Sequence, residues 1–192
     1  AILLSLVLML SLLPASALAV GDSADTTMRV FHLDCGRKYF TEQQIKNLID
    51  QMAEDGYNYL ELAVGNDGLR FLLKDMSLSY SVDGTERSFT SDEVTSAVRA
   101  GNLSYTTAST GELSEKEMGS IISYATERGI GVIPLVNTPG HMDAILYAAE
   151  SLTENNNLDY SGSVRTIDVA NAEAVAFTKA LLDKYITYFS DK

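Results

Sequence analysis

Polar side chains that could carry chemistry stand in three short clusters, each directly after an apolar run of the chain. The candidates are Asp34, Arg37, Asn66, Asp67, Asn137 and His141. The planar guanidinium of Arg37 suits a two-point grip on hydroxyl or carboxylate oxygens. His141 could orient another side chain. If the runs form neighbouring parallel strands, all three clusters converge at one rim of the sheet.

Each of these side chains also has a purely structural explanation. Arg37 could form a surface ion pair. Asp67 precedes Gly68, and Asp-Gly pairs usually form turns. His141 could simply satisfy hydrogen bonds within a turn. The residue types therefore mark a candidate site without deciding what it does.

The apolar runs ahead of the clusters are typical of strands, and they span residues 28–33, 57–64 and 130–136. The third run lies between turn formers and indicates a strand buried on both faces. Pro134 within it weighs against a central position in a sheet. Pro139 and Gly140 then favour a turn, which leaves His141 just past the end of this strand.

Helical patterns follow the predicted strands. Capping boxes over residues 41–44 and 114–117 predict two helix N-termini. Further helices are predicted over residues 91–100, 142–152 and 172–189, with a loop over 101–111. Two short runs, residues 78–82 and 86–89, flank Asp83-Gly84 and predict a β-hairpin.

Repeated strand-helix units with apolar strands predict an α/β fold with a parallel sheet. Three such units lie between residues 28 and 192, and the chain closes on a helix. A complete (β/α)8 TIM barrel takes roughly 250 residues. We therefore expect this stretch to form only about the first three strand-helix units of such a barrel.

Composition excludes several classes of protein. The formal net charge of −12 argues against nucleic-acid binding, because phosphates attract Lys and Arg. Apolar residues make up 46%, which is enough for one domain with a core. The single cysteine, Cys35, excludes an intramolecular disulfide, and we expect it to be a small buried residue. No Cys/His cluster indicates zinc, and we expect neither a metal nor a cofactor.

Residues 1–19 are typical of an export signal. Residues 2–13 are strongly apolar, Pro14 follows, and a small-x-small pattern ends at Ala19, where we expect cleavage. A membrane-spanning helix is the alternative, since about twenty apolar residues can span a bilayer. A basic first segment and an initiator Met are absent, so we expect the chain to be truncated at its start. After a polar linker over residues 20–27, the mature chain is predicted to be secreted or on the cell surface, without a membrane span.

Four segments resemble glycoside hydrolase family 20, most of all the bacterial surface exo-β-N-acetylhexosaminidases of the streptococcal type. They are residues 29–40 (RVFHLDCGRKYF), 64–71 (VGNDGLRF), 136–144 (VNTPGHMDA) and 174–181 (AVAFTKAL). They stand in the family's order and span residues 28–192.

The resemblance implies a (β/α)8 barrel that removes terminal β-linked N-acetylhexosamine from glycans by a substrate-assisted retaining mechanism. In that mechanism the acetamido oxygen of the sugar attacks the anomeric carbon. In the family, an Asp-Glu pair after the fourth strand supplies the general acid/base and holds the acetamido group. These 192 residues contain no fourth strand with such a pair, which we expect beyond Lys192, so this stretch alone is predicted to be inactive.

On the same resemblance, Arg37 would bind hydroxyls of the terminal sugar. His141 would support the general acid, together with an acidic position near Asn66 and Asp67, and Asn137 belongs to the same supporting group. Many members carry two consecutive acids after the second strand, whereas this chain has Asn66 and Asp67 there, so the partner of His141 is left open. Two alternatives to the hexosaminidase are a non-catalytic carbohydrate-binding relative and a disaccharide-releasing enzyme of the same family.

Overall fold

A computed structural model describes residues 27–192, and the predicted signal segment and residues 20–26 of the linker lie outside this part. In chain order the strands are β1 (Val30–Asp34), β2 (Tyr59–Asn66), β3 (Gly68–Leu69), β4 (Phe71–Leu72), β5 (Leu78–Val82), β6 (Thr85–Phe89), β7 (Leu113–Ser114) and β8 (Gly131–Val136). The helices are α1 (Glu42–Glu54), α2 (Ser91–Tyr105), α3 (Glu115–Thr126), α4 (Asp143–Thr153) and α5 (Ala172–Ser190).

The three predicted strands form a parallel sheet in the order β1-β2-β8. Val30 pairs with Tyr59, and Tyr59 pairs in turn with Gly131 on the other side of β2. The predicted parallel arrangement, with neighbours in chain order, is confirmed. Parallel neighbours require crossover connections, and α1 and α3 lie in the two crossovers. The C-terminal ends of all three strands therefore meet at one edge of the sheet, which is where the candidate residues lie.

Strand β8 exists as predicted, but the expectation that it is buried on both faces is wrong. All six of its residues are half-buried, whereas Leu60, Leu62 and Val64 of β2 are fully buried. Among residues 27–192, β8 pairs with β2 alone, so its second edge has no neighbouring strand. Pro134 lacks a backbone N–H and is compatible with such an edge position.

The predicted helix starts are present where the capping boxes place them. The side chains of Thr41 and Ser114 accept from the backbone of the third helical residue, and those residues reach back to the cap. A third box at Thr90 starts α2 in the same way. In α1 the predicted apolar face packs inward and buries Ile45 and Ile49. The hairpin β5–β6 also forms, with antiparallel pairing.

Helix α2 continues to Tyr105, so residues 101–105 of the predicted loop are helical and only residues 106–111 form a loop as predicted. A Cβ on Gly101 would lie 2.5 Å from the Ala144 carbonyl oxygen, so this glycine allows α2 to contact α4 closely. Asn102, one residue later, accepts from the Leu69 backbone N–H at 2.8 Å and donates to the Leu69 carbonyl at 2.9 Å. Gly101 is therefore a packing residue within the helix and does not end it.

Helix α5 presents the predicted apolar face only partly to the core. Tyr185 is buried and donates its hydroxyl to the Phe71 carbonyl at 2.6 Å, whereas Ile186 is 61% exposed. Beside β8 this face lines a shallow cavity of about 190 Å³ with Pro134 and Val136. Within residues 27–192, no helix combines the length and the apolar character that crossing a membrane requires.

Candidate active site

The structure brings the six predicted residues together at the C-terminal edge of the parallel sheet. An inner layer joins the ends of all three strands through side-chain amides. Asn66 donates to Asp34 Oδ2 at 2.6 Å, and Asn137 donates to Asn66 Oδ1 at 2.7 Å. Asp34 also accepts from the backbone N–H of Arg37 at 3.1 Å. This layer fixes the loops on which the outer side chains stand.

The outer layer is a cluster of Arg37, Asp67 and His141. Arg37 Nε donates to Asp67 Oδ2 at 2.8 Å, and His141 Nδ1 lies 2.9 Å from Asp67 Oδ1. Arg37 Nη2 also lies 3.3 Å from His141 Nδ1. The shorter of the two His141 contacts is to the Asp67 carboxylate, which can only accept a hydrogen bond. His141 Nδ1 therefore carries the proton, and His141 Nε2 is left for another partner.

Burial differs sharply within this cluster. The side chain of Asp67 is only 3% exposed, while those of Arg37 and His141 are each 47% exposed. The acid is therefore enclosed, and the two basic side chains present polar atoms to the solvent side of the rim. Such an arrangement can hold a polar ligand through Arg37 while Asp67 keeps His141 in one tautomer and one orientation.

Two residues of the cluster adopt left-handed backbone conformations. The φ angles of Asp67 and His141 are 60° and 56°. For residues other than glycine this costs about 1–2 kcal/mol each. Two hydrogen bonds hold the pair: Asp67 N–H donates to the His141 carbonyl at 2.6 Å, and Ala144 N–H donates to the Asp67 carbonyl at 2.8 Å. Asp67 is therefore both a turn residue, as one alternative held, and a member of the side-chain cluster.

Comparison with known proteins identifies the family to which the chain belongs. The model of the family described as "Glycosyl hydrolase family 20, catalytic domain" matches residues 27–192. The chain belongs to glycosyl hydrolase family 20. A solved structure of the pneumococcal exo-β-D-N-acetylglucosaminidase StrH is 39% identical, with a TM-score of 0.78, and the match covers 84% of this chain and 39% of that one.

Two curated proteins also match parts of the chain. A beta-hexosaminidase of Vibrio furnissii is 30% identical over 132 residues, which are 68% of this chain and 21% of that protein. A lacto-N-biosidase of Bifidobacterium bifidum is 31% identical over 126 residues, which are 65% of this chain and 9% of that protein. The chain thus spans well under half the length of each relative named here.

The groups around Asp67 in this candidate site keep it ionised. Burial opposes its charge, but hydrogen bonds from Arg37, His141 and Asp143 outweigh burial and hold the pKa of the Asp67 carboxyl below its usual value. The hydrogen bond to Asp67 in turn raises the pKa of Arg37. Burial raises the pKa of Tyr105, and the charge of Asp67 and a hydrogen bond to it add to that effect. Within residues 27–192, no group of three or more His, Cys, Asp or Glu side chains is arranged to hold a metal ion.

The sequence alone did not point to three residues beside the Arg37–Asp67–His141 cluster. Tyr105 lies in the stretch predicted as loop, and nothing in its local sequence points to Asp67. Asp143 has the pattern of an ordinary acid in the first turn of a helix. Arg70 is only 2% exposed; its Nε donates to the Gly36 carbonyl at 2.9 Å and its Nη1 to the Gly111 carbonyl at 3.2 Å. Arg70 thereby fixes the loop that carries Arg37.

Proposed function

We propose that the protein containing this chain hydrolyses terminal β-linked N-acetylhexosamine from glycans by a substrate-assisted retaining mechanism. The observation that carries the proposal is the Arg37–Asp67–His141 cluster at the C-terminal rim of a family 20 domain. The substrate of this protein would be a glycan that ends in N-acetylhexosamine. Relatives named as an exo-β-D-N-acetylglucosaminidase and a beta-hexosaminidase support the same substrate class.

Each residue of the cluster has a role that fits its geometry. The half-exposed guanidinium of Arg37, fixed through Nε by Asp67, would grip hydroxyls of the terminal sugar. His141, whose Nδ1 proton faces Asp67, would use Nε2 to support the general acid. Asn66 and Asn137 would hold the loops in register without contacting the substrate.

We further propose that β1, β2 and β8 are the first three strands of a (β/α)8 barrel. The unpaired edge of β8 and the exposed Ile186 on α5 support a sheet that continues. The Asp-Glu pair implied by the resemblance would follow the next strand. A protein limited to these 192 residues would then grip a sugar but protonate no leaving oxygen, and so would be inactive. The expected export signal supports a place outside the cytoplasm.

A second candidate is release of a disaccharide from the end of a glycan. The match to a protein named lacto-N-biosidase favours it, and nothing in the Arg37–Asp67–His141 cluster distinguishes it from release of a single sugar. A non-catalytic sugar-binding relative is the third possibility, and it would keep the Arg37 grip without the acid pair.

The experiment compares two proteins. One consists of residues 20–192, and the other is extended to include the remaining β-strands of the proposed barrel. Both are assayed on a chromogenic N-acetyl-β-glucosaminide and on a chromogenic lacto-N-bioside. We expect turnover of the first substrate by the extended protein only. Turnover of the bioside alone would favour the second candidate. Sugar binding without turnover would favour the third, and equal turnover by the short protein would overturn the placement of the acid pair.

A further inference from the structure

Asp143, the first residue of α4, is held against Asp67 by the backbone. Two backbone hydrogen bonds fix Asp67 beside this segment. Asp67 N–H donates to the His141 carbonyl, and Ala144 N–H donates to the Asp67 carbonyl. Asp143 lies between these two anchors in the chain, and its carboxyl is close enough to that of Asp67 for each to shift the pKa of the other.

Two carboxyl groups therefore meet in a place with little access to water. The side chain of Asp67 is 3% exposed and that of Asp143 is 11% exposed. Oδ2 of Asp143 is buried, and no donor among residues 27–192 reaches it. A buried carboxylate oxygen without a donor is costly, and two ionised carboxylates in contact repel each other. One proton shared between the two groups removes both costs.

The charged groups around the pair decide which carboxyl holds that proton. Asp67 faces Arg37 Nε at 2.8 Å and His141 Nδ1 at 2.9 Å, and both donors stabilise its ionised form. The cation that faces Asp143 is Arg165, whose Nη2 lies 3.6 Å from Oδ1 and whose side chain is half exposed, and Tyr105 lies in the same cavity. Burial, the hydrogen bond with Asp67 and the charge of Asp67 raise the pKa of Asp143 in that order. The proton therefore belongs to Asp143.

We propose that Asp143 is a positioning residue, a carboxylic acid that donates a hydrogen bond to the Asp67 carboxylate and so fixes it between Arg37 and His141. Asp67 then has Arg37, His141 and Asp143 as donors, and Tyr105 at the end of α2 lies near enough to feel its charge. With its carboxylate fixed, Asp67 can hold His141 and Arg37 in position at the same time. This inference rests on the proposed function only in taking the Asp67 cluster as part of the catalytic site.

The protonation state is tested without any substrate. Carbon-13 NMR of aspartate carboxyls, with the Asp143 signal assigned by its loss in Asp143→Asn, follows its titration in the chain. We expect Asp143 to titrate above the usual aspartate range, and to move back toward that range in Asp67→Asn, where the neighbouring charge is gone. Titration at or below the usual range in the wild type would overturn the proposal, because Asp143 would then be an ionised partner of Arg165.

The positioning role is tested by kinetics in the extended protein at neutral pH. We expect Asp143→Ala to lower kcat/KM roughly 10- to 100-fold, as losing a group that orients a reacting residue does. Asp143→Asn should recover most of that loss, because its amide N–H can replace the acid proton. Arg165→Gln, the matched control, should leave kcat/KM within about two-fold of wild type, because the Arg165 side chain pairs with Asp143 and with no member of the Arg37–Asp67–His141 cluster.

An ion pair between Asp143 and Arg165 predicts the opposite pattern. Asp143→Asn would then be as impaired as Asp143→Ala, and Arg165→Gln would match both, which would overturn the proposal. If the extended wild-type protein turned over no N-acetylhexosaminide, the proposed function would fail. The carboxyl titration would still decide whether Asp143 is the proton donor to Asp67.

Discussion

At the scale of single residues, Asp67 connects three parts of the chain that are far apart in sequence. Its two carboxylate oxygens accept hydrogen bonds from Arg37 in the loop after β1 and from His141 in the loop after β8. Its backbone is held in a left-handed conformation by the residues that flank Asp143. Arg37 does form an ion pair, but its partner Asp67 is buried. The pair therefore orients the guanidinium more firmly than an exposed pair would.

Replacement of Arg37 tests the sugar grip. In the extended protein we expect Arg37→Ala to raise the free energy of the transition state by about 2–4 kcal/mol, because a two-point, partly desolvated contact is lost. Arg37→Lys should not recover activity. The lysine ammonium is a point charge and lacks the planar set of N–H donors that can bond Asp67 and a sugar hydroxyl at the same time. Steady-state kinetics measure both variants. Near-normal kcat/KM in either one would exclude this role for Arg37.

The ionised Asp67 predicts how stability depends on pH. Its pKa in the folded chain is below the usual value, so its contribution is fully present above the unfolded pKa of about 4 and is lost as pH falls through the folded pKa. We expect Asp67→Asn to lower the free energy of unfolding by roughly 1–3 kcal/mol at pH 6 and the gap from wild type to narrow below about pH 4.

Urea unfolding at several pH values measures this gap, and Asp75→Asn is the control. Hydrogen bonds to Ser77 and Lys184 lower the pKa of Asp75 to about 2, so its effect has the same sign. Its side chain is 68% exposed, so solvent screens the effect and the gap should be much smaller. A gap for Asp67→Asn that stays constant from pH 3 to pH 7 would contradict an ionised Asp67.

At the scale of elements, the contact between α2 and α4 brings Tyr105 and Asp143 to the site. A side chain at Gly101 would collide with the α4 backbone, so the helices approach closely only because this residue is glycine. The close approach places the end of α2 beside the start of α4, where both helices meet Asp67. A local sequence pattern cannot reveal this, because glycine in a helix also marks helix ends.

Two glycines in helices should respond in opposite ways to the same substitution. We expect Gly101→Ala to lower the free energy of unfolding by roughly 1–3 kcal/mol, because its Cβ would meet the Ala144 backbone at 2.5 Å. Gly119→Ala in α3 should instead raise it by about 0.5–1 kcal/mol, because its nearest neighbour is the Tyr188 hydroxyl at 3.9 Å and alanine favours the helix. Urea denaturation compares the two, and equal effects would argue against the proposed packing role of Gly101.

At the scale of the whole molecule, the described sheet has two edge strands, β1 and β8, each paired with β2 alone. The β1 and β2 strands and the helices around them enclose the core, whereas β8 and the outer face of α5 leave apolar side chains accessible. Ile186 is the clearest case on α5, and Val136 and Pro134 of β8 lie beside the same face. Apolar surface of this kind promotes association.

Substitution of Ile186 tests whether this face controls association of the 192-residue chain. We expect Ile186→Gln to reduce light scattering while changing the free energy of unfolding by less than about 0.5 kcal/mol, because the side chain is already 61% exposed. Leu181→Gln in the same helix, where Leu181 is 1% exposed, should cost about 3–5 kcal/mol. Light scattering that is unchanged by Ile186→Gln would locate the association surface elsewhere.

The sequence by itself determined the parallel strands, the starts of α1 and α3, and the meeting of Arg37, Asp67 and His141 at one rim. These features follow from local signals, since capping boxes act within four residues and parallel strands bring their C-terminal ends to one edge. The glycine-containing segments that resemble family 20 cover ends of the three parallel strands and the loops that follow them.

Only the tertiary structure decided the partner of His141, the length of α2 and the contact between Asp143 and Asp67. Each depends on how closely two separate segments approach, and residue types do not encode that distance locally. Gly101 ends no helix because Ala144 packs against it. Asp143 meets a second carboxyl because two backbone hydrogen bonds join Asp67 to His141 and Ala144, which lie before and after Asp143 in the chain. The same residue types with a looser packing would give an exposed acid with no neighbour.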